Sequence, residues 1–347
     1  MPNPPGLDLD RLHAYLDTEA PGLLPGPLSG ELIAGGRSNL TYTITDGRRE
    51  LVVRRPPLGH VLATAHDMSR EYRVMTALAS TSVPVPETVL LCADPDVLGA
   101  PFYLMSKVEG TVYRQADQTD GLGPARATAL AEQLIDTLAA LHAVDPAGVG
   151  LADFGRPEGF LARQVRRWRG QLDASRSREV PGIDALSARL AEAVPDSPRA
   201  AIVHGDYRLD NVLVGPHDVI AAVLDWEMAT LGDPLTDLGL FVVYWDGLAT
   251  IGPAVGDAVA GGVGPAHGFP SSDALLTRYA AASGLDLTHL DWYVGFGFFK
   301  LAVILEGIHY RFVQGQTVGE GFDRIGALVA PLVERGVAAL EGSGWRG

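Results

Sequence analysis

The chain has almost no cysteine and almost no lysine. Cys92 stands alone among 347 residues, which excludes an internal disulfide and a thiolate metal cluster. Within the run Thr88–Cys92 it reads as a small apolar residue of a strand. Lys107 and Lys300 are the only lysines, so the basic side chains are nearly all arginine, a bias read as compositional rather than functional. Positive charge is scarce overall. A formal net charge of −15 argues against nucleic acid or an anionic membrane surface as the main partner. It leaves nucleotide binding open, because phosphates are held locally by backbone N–H groups and metal. A membrane-length apolar run is also missing. The longest, Trp292 to Ile308, is interrupted by Lys300 and Glu306 and reads as a buried helix, so no membrane partner is expected. The N-terminus, Met1-Pro2-Asn3-Pro4-Pro5, lacks the charged and apolar regions of a signal peptide, so a cytoplasmic location is expected. Repeats and low-complexity tracts are absent.

What is there is enough chain for two lobes, with an ordinary globular share of 47% hydrophobic residues. Residues 8–19 read as an amphipathic helix with Leu9, Leu12 and Leu16 on one face. A Pro/Gly-rich stretch from Pro21 to Gly30 follows. Leu40, Tyr42 and Ile44 then alternate as in a half-buried strand, Asp46-Gly47 marks a hairpin turn, and Leu51–Arg54 is the return strand. From about Leu62 to Ala79 the spacing of Met68, Tyr72, Met75 and Ala79 predicts a helix, ended by Val83-Pro84-Val85-Pro86. Strands are expected at Thr88–Cys92 and Phe102–Ser106 around the turn Asp94-Pro95-Asp96. Beyond Gly110 helices dominate, the clearest at 125–143 with Leu130, Leu134, Leu138 and Leu141 on one stripe. Short strands are expected at Ala201–Val203, Val212–Val214 and Ile220–Leu224. The expectation is an α+β, bilobal fold: a sheet-rich N-terminal lobe over 1–105 and a helical C-terminal lobe over 106–347. A cleft between such lobes is a natural ligand site.

The chemistry concentrates in His204-Gly-Asp-Tyr-Arg-Leu-Asp-Asn211, followed by Leu224-Asp225-Trp226-Glu227. Asp206 and Asn211 are five positions apart, and Asp225 follows Asn211 by fourteen. That order resembles the catalytic loop and metal-binding aspartate of protein-kinase-like phosphotransferases. Phosphoryl transfer needs one carboxylate to take the proton of the attacking hydroxyl, which suits Asp206. It also needs a few oxygen ligands for Mg2+, which suits Asn211 and Asp225. Either aspartate alone could be an ordinary turn residue; the whole pattern argues otherwise. His204 reads as a structural hydrogen-bonding residue and Asp210 as a solvated loop acid. Arg208 is open between a phosphate or substrate contact and a surface arginine.

With Gly232-Asp-Pro-Leu-Thr-Asp-Leu-Gly239 added, the chain resembles the aminoglycoside phosphotransferase-like, or phosphotransferase enzyme, family over roughly residues 28 to 315. Ser38–Tyr42, Arg54–Pro57 and Asp225–Glu227 look most like the subgroup that includes kinase-like domains fused to acyl-CoA dehydrogenases. The resemblance implies ATP and Mg2+ as cofactors and a protein-kinase-like fold. It implies that Asp237 buttresses the catalytic region. It puts Gly35, Gly36, Arg37, Ser38 and Asn39 in the phosphate-covering loop, where glycines let backbone N–H groups approach phosphate. The family has a lysine paired with a glutamate; here Arg54 stands in the lysine's place, with Glu71 as the acid and Arg55 as a rival. Ser106 and Val108, in Met105–Val108, correspond to the connector that pairs with adenine.

The acceptor is less legible. Tyr293, Lys300, Glu306, His309 and Arg311 form no dense acidic cluster of the kind a polycationic aminoglycoside requires, and most read as core-edge or surface residues. Arg163, Arg166, Arg167 and Arg169 around Trp168 read either as a basic strip for an anionic substrate or as a solvated helix face. The expectation is a Mg-ATP-dependent phosphotransferase acting on a hydroxyl of a small molecule, by resemblance a hydroxyacyl-CoA. An aminoglycoside 3'-type phosphotransferase and a non-catalytic nucleotide- or acyl-CoA-binding module are the alternatives.

Overall fold

Alternating apolar residues build the sheet that opens the chain. In the computed structural model, which describes residues 3–33, 39–58, 67–249, 251, 263–316 and 322–343, five antiparallel strands pair in the order β1-β2-β3-β5-β4. They are β1 (Ser29–Leu32), β2 (Leu40–Thr45), β3 (Glu50–Arg55), β4 (Thr88–Cys92) and β5 (Phe102–Ser106). The β2–β3 hairpin pairs Tyr42 with Val53 and Leu40 with Arg55. Its turn is held by Asp46 Oδ1, which accepts from the N–H groups of Arg48 and Arg49 at 2.9 Å each. Gly47 adopts φ +85°, which only glycine takes without steric cost.

Strand parity divides the side chains of this sheet. Leu51 and Val53 point to one face, where they join Tyr42, Ile44, Phe102 and Leu104 in a core closed by helix α1 (Leu9–Glu19) through Leu9, Leu12 and Leu16. Cys92 is buried in the same core, as its sequence context suggested. The second helix, α2 (Met68–Leu78), buries Met68, Glu71, Val74, Met75 and Leu78. It begins at Met68 because the Asp67 carboxylate caps it, accepting from the N–H groups of Ser69 and Arg70. Residues 62–66, expected in this helix, lie outside the described residues. The turn expected at Asp94-Pro95-Asp96 is wound into a single helical turn, α3 (Pro95–Leu98), because Asp94 caps it and proline takes its first position.

These elements form one compact unit, Met1–Gly110 together with Ala221–Ala229. The second unit is Thr111–Ile220 with Thr230–Gly347. Residues 221–229 are thus grouped with the sheet of the first unit.

The second unit is mostly helical. It contains α4 (Gly123–Ala143), α5 (Phe160–Ser175), α6 (Ile183–Glu192), and the strands β6 (Ala201–Val203) and β7 (Val212–Val214). The chain leaves it along β8 (Ile220–Val223) and returns at β9 (Thr230–Gly232), which pairs antiparallel with β6. Then come α7 (Leu235–Val242), α8 (Ser272–Ser283), α9 (Leu290–Val313) and α10 (Val329–Leu340). The leucine stripe read on α4 is fully buried. Helix α7 crosses α9 at very close range: a Cβ on Gly239 would sit 2.5 Å from the Tyr293 carbonyl. The run Trp292–Ile308 lies in α9, and no described helix is long and apolar enough to cross a membrane.

Candidate active site

The first group of candidate residues is held wholly within the first unit. Arg54 lies one residue from Arg55 on β3, so the two side chains leave opposite faces of the sheet. Arg55 turns to the α1 side and donates to the carbonyls of Gly6 at 2.6 Å and Leu98 at 2.7 Å. Arg54 turns the other way. Its Nε lies 2.8 Å from Glu71 Oε2, and its Nη2 donates to Asp225 Oδ1 at 2.5 Å. Of the two rivals, Arg54 is therefore the one that meets the α2 glutamate. Glu71 is almost completely buried and its oxygens are well used. Asn39 Nδ2 donates to Oε1 at 2.9 Å, and the Tyr103 hydroxyl donates to Oε2 at 3.0 Å. Asn39 Nδ2 also reaches Glu227 Oε2 at 3.1 Å. Burial pushes the Glu71 carboxyl up, and the Arg54 guanidinium pulls it back. Burial lowers Arg54, but Glu71, Tyr103 and Asp225 more than offset it, so the guanidinium stays charged.

Asp225 has a left-handed backbone, φ 63° and ψ 62°, which is uncommon for a residue with a side chain. It directly precedes the short helical turn Trp226–Met228, where the Trp226 indole N–H donates to the Val223 carbonyl and anchors the turn. Such strained residues cluster at functional sites.

The second group lies within the second unit, on the loop between β6 and β7. Gly205, at φ +87°, makes the sharp turn that follows His204. Asp237, in the first turn of α7, accepts from the backbone N–H groups of His204 and Gly205, both at 2.7 Å. His142 of α4 sits 3.2 Å from the same carboxylate, and its other ring nitrogen lies 2.7 Å from the Tyr279 hydroxyl. Burial alone would raise Asp237, but His142, His204 and the Gly205 N–H hold its carboxyl below the usual value. Lys300 of α9 donates to the Gly205 carbonyl at 2.6 Å from beneath. Burial pulls the Lys300 ammonium down, with Asp206 and Asp237 opposing.

Held this way, the loop presents Asp206. Its Oδ1 accepts from the Tyr244 hydroxyl at 3.0 Å and its Oδ2 from Asn211 Nδ2 at 3.1 Å. Asn211 Nδ2 also donates to the Asp206 carbonyl at 2.8 Å, which leaves its amide oxygen as the donor it can offer a cation. Arg208 Nε lies 3.4 Å from Asp206 Oδ2 and 3.0 Å from Asp210 Oδ1. The Asp206 N–H donates to His204 Nδ1 at 3.2 Å, so the buried His204 supports the loop. The Asp206 side chain keeps about a quarter of its surface exposed (24%). An asparagine oxygen and an aspartate carboxylate are hard donors of the kind magnesium accepts, so Asn211 and Asp225 fit the ion chemically.

Several readings change. Asp210 is not a solvated loop acid: it is largely buried, burial pushes its carboxyl up to about 6, and Arg208 pulls it back. Arg208 is engaged by Asp206, Asp210 and the Tyr244 ring, so it is no loose surface arginine. Tyr293, Lys300 and Glu306 are core residues; Tyr293 binds Asp233 and Glu306 pairs with Arg178. The arginine strip on α5 is divided. Arg163 donates to the carbonyls of Glu158 and Arg156, Arg169 pairs with Asp173 and Asp184, and Arg167 lies over Trp168. Ser106 and Val108 are partly buried at the end of β5, where Ser106 Oγ accepts from the Glu87 N–H. Gly35, Gly36, Arg37 and Ser38 lie outside the described residues. Sequence reasoning missed His142, Tyr103 and Tyr244, which carry no motif of their own.

Residues 29–275 match the phosphotransferase enzyme family. The chain belongs to that family. Among its relatives, acyl-CoA dehydrogenase family member 11 of Gallus gallus is 34% identical over 337 residues, covering 95% of this chain and 43% of the relative. Acyl-CoA dehydrogenase family member 10 of Mus musculus is 34% identical over 334 residues, with 94% and 30% covered. This phosphotransferase-family chain thus spans less than half the length of those curated relatives. A candidate aminoglycoside phosphotransferase of Ralstonia eutropha JMP134 superposes with a TM-score of 0.83 at 33% identity, over 96% of this chain and 98% of the other. Aminoglycoside phosphotransferase APH(4)-Ia, in ternary complex with AMP-PNP and hygromycin B, shares the fold at a TM-score of 0.61 and 15% identity, over 96% and 99%. The bilobal, kinase-like α+β architecture expected from the sequence is the architecture of this family.

Proposed function

We propose that this enzyme moves the γ-phosphate of Mg-ATP to a hydroxyl of a small molecule. Asp206 takes the proton of the attacking hydroxyl, Asn211 and Asp225 give oxygen ligands to magnesium, and Arg54, oriented by Glu71, holds phosphate oxygens. The observation that carries this reading is the setting of Asp206: a partly exposed carboxylate gripped by neutral donors on both oxygens, on a loop braced by Asp237 and Lys300. Positioning and electrostatics are most of what phosphoryl transfer asks of a protein. Magnesium, when bound, neutralises charge on the transferring phosphoryl group.

For the acceptor, a hydroxyacyl-CoA is favoured. Curated relatives at 34% identity are named as acyl-CoA dehydrogenase family members. An aminoglycoside is the second reading, prompted by the name of the Ralstonia protein. A polycation wants several unpaired carboxylates near the acceptor, yet Asp210 is already paired with Arg208, and Lys300 lies under the loop. A γ-phosphate transfer screen over hydroxyacyl-CoAs, amino sugars and simple alcohols tests the reading, with Asp206→Asn as control. Labelling of a hydroxyacyl-CoA supports it; labelling of kanamycin alone moves the assignment to aminoglycosides; no transfer to any acceptor favours a binding module.

A further inference from the structure

Helix α7 holds the loop at two places, and only one of them is in the motif. Asp237, in its first turn, binds the backbone of His204 and Gly205. Seven residues on, Tyr244 binds the side chain of Asp206. Between them the helix is regular as far as Val242, and seven residues are about two α-helical turns, so both side chains lie on the face that meets the loop. From Val243 to Gly247 it widens into a π-turn, a feature that shifts every later side chain around the axis and recurs at functional sites. Tyr244 is the second residue of that turn.

A carboxylate bound on one oxygen can still swing about its last side-chain bond, because that torsion has broad, roughly two-fold wells. Asp206 is bound on both oxygens, by Tyr244 on Oδ1 and by Asn211 on Oδ2. Arg208 closes the arrangement. Its Nε lies 3.4 Å from Oδ2, and its guanidinium carbon lies 4.9 Å from the Tyr244 ring centroid. The ring and the cation support each other against the same carboxylate. Burial and the Asp206 charge both push the Tyr244 phenol up, so it stays a hydrogen-bond donor at neutral pH. The same two side chains line a small cleft with Tyr113, Phe241 and Trp245.

We infer that Tyr244 and Arg208 are positioning residues: they clamp the Asp206 carboxylate in the orientation in which it meets the attacking hydroxyl. The inference rests on the reading of Asp206 as proton acceptor. A base swung out of line loses its part of the catalysis while nucleotide binding persists.

The test compares Tyr244→Phe, Arg208→Gln, Asp206→Asn and the double variant Tyr244→Phe/Asp206→Asn. Phosphate transfer from Mg-ATP is measured to the best acceptor of the screen and to water, beside crystal structures of Tyr244→Phe and Arg208→Gln. Tyr244→Phe should lower kcat by about 10-fold or more, with KM for ATP within about two-fold. It should add nothing in the Asp206→Asn background, which a purely structural role cannot reproduce. The Asp206 carboxylate should be rotated in its crystal structure. An unmoved carboxylate in both variants overturns the clamp, as does an unchanged kcat where Asp206→Asn is impaired. Full activity of Asp206→Asn would instead remove the underlying reading. If no acceptor is found, the carboxylate position alone decides.

Discussion

Arg54 Nη2 lies 2.5 Å from Asp225 Oδ1, while Nε of the same guanidinium lies 2.8 Å from Glu71 Oε2. One arginine thus ties the sheet, helix α2 and the Asp225 turn together. A lysine offers a single point charge and cannot reach two carboxylates along separate edges of a plane. Arg54→Lys should therefore keep Glu71 paired, release Asp225 and weaken ATP binding. Arg54→Ala strands a buried carboxylate and should cost about 3–5 kcal/mol. Urea unfolding measures this, and a loss below about 1 kcal/mol would show that the pair adds little.

Asp237 gives a pH signature. Its carboxyl is held below 3.8 in the folded protein, despite burial, by His142, His204 and the Gly205 N–H. The folded state therefore prefers the charged form. The stabilisation is fully present above 3.8 and is lost as pH falls through the lower, folded value. Asp237→Asn lacks it at neutral pH. The stability gap between parent and variant should narrow as pH falls from about 5 to about 3. A gap that stays constant over that range would contradict the assignment.

Tyr103 donates to Glu71 from within the first unit's core. Tyr103→Phe leaves a buried, charged acceptor short of one partner, at a cost of about 1.5–3 kcal/mol. Thermal unfolding should show the loss. An unchanged midpoint would mean that Arg54 and Asn39 suffice for Glu71.

Much of this was legible in the sequence, and the limits have physical causes. The alternation of Leu40, Tyr42 and Ile44 marked β2, and the leucine stripe marked α4, because each follows one local period. That Asp206 and Asn211 meet was legible because they are five residues apart on one loop. The choice between Arg54 and Arg55 was not. Strand parity says that they part, but not which face meets α2. Lys300 and Glu306 looked like breaks in an apolar run; their partners, Gly205 and Arg178, are 95 and 128 residues away. Tyr244 was hidden because it lies in an apolar run and its partner, Asp206, is 38 residues away.

Gly239 shows how tightly the brace is packed. Gly239→Ala would place a methyl 2.5 Å from the Tyr293 carbonyl, so α7 and α9 must separate. Overpacking of this kind costs about 1–3 kcal/mol. It should also lower transfer activity, because both helices hold the Asp206 loop. Activity and stability equal to the parent would show that α7 can shift freely.

The central claim is that Asp206 takes the proton of the attacking hydroxyl. Single-turnover transfer of the γ-phosphate, with parent and Asp206→Asn each saturated with Mg-ATP, tests it most directly. The variant should bind Mg-ATP as the parent does and transfer phosphate slower by about 100-fold or more. Equal transfer rates would contradict the claim.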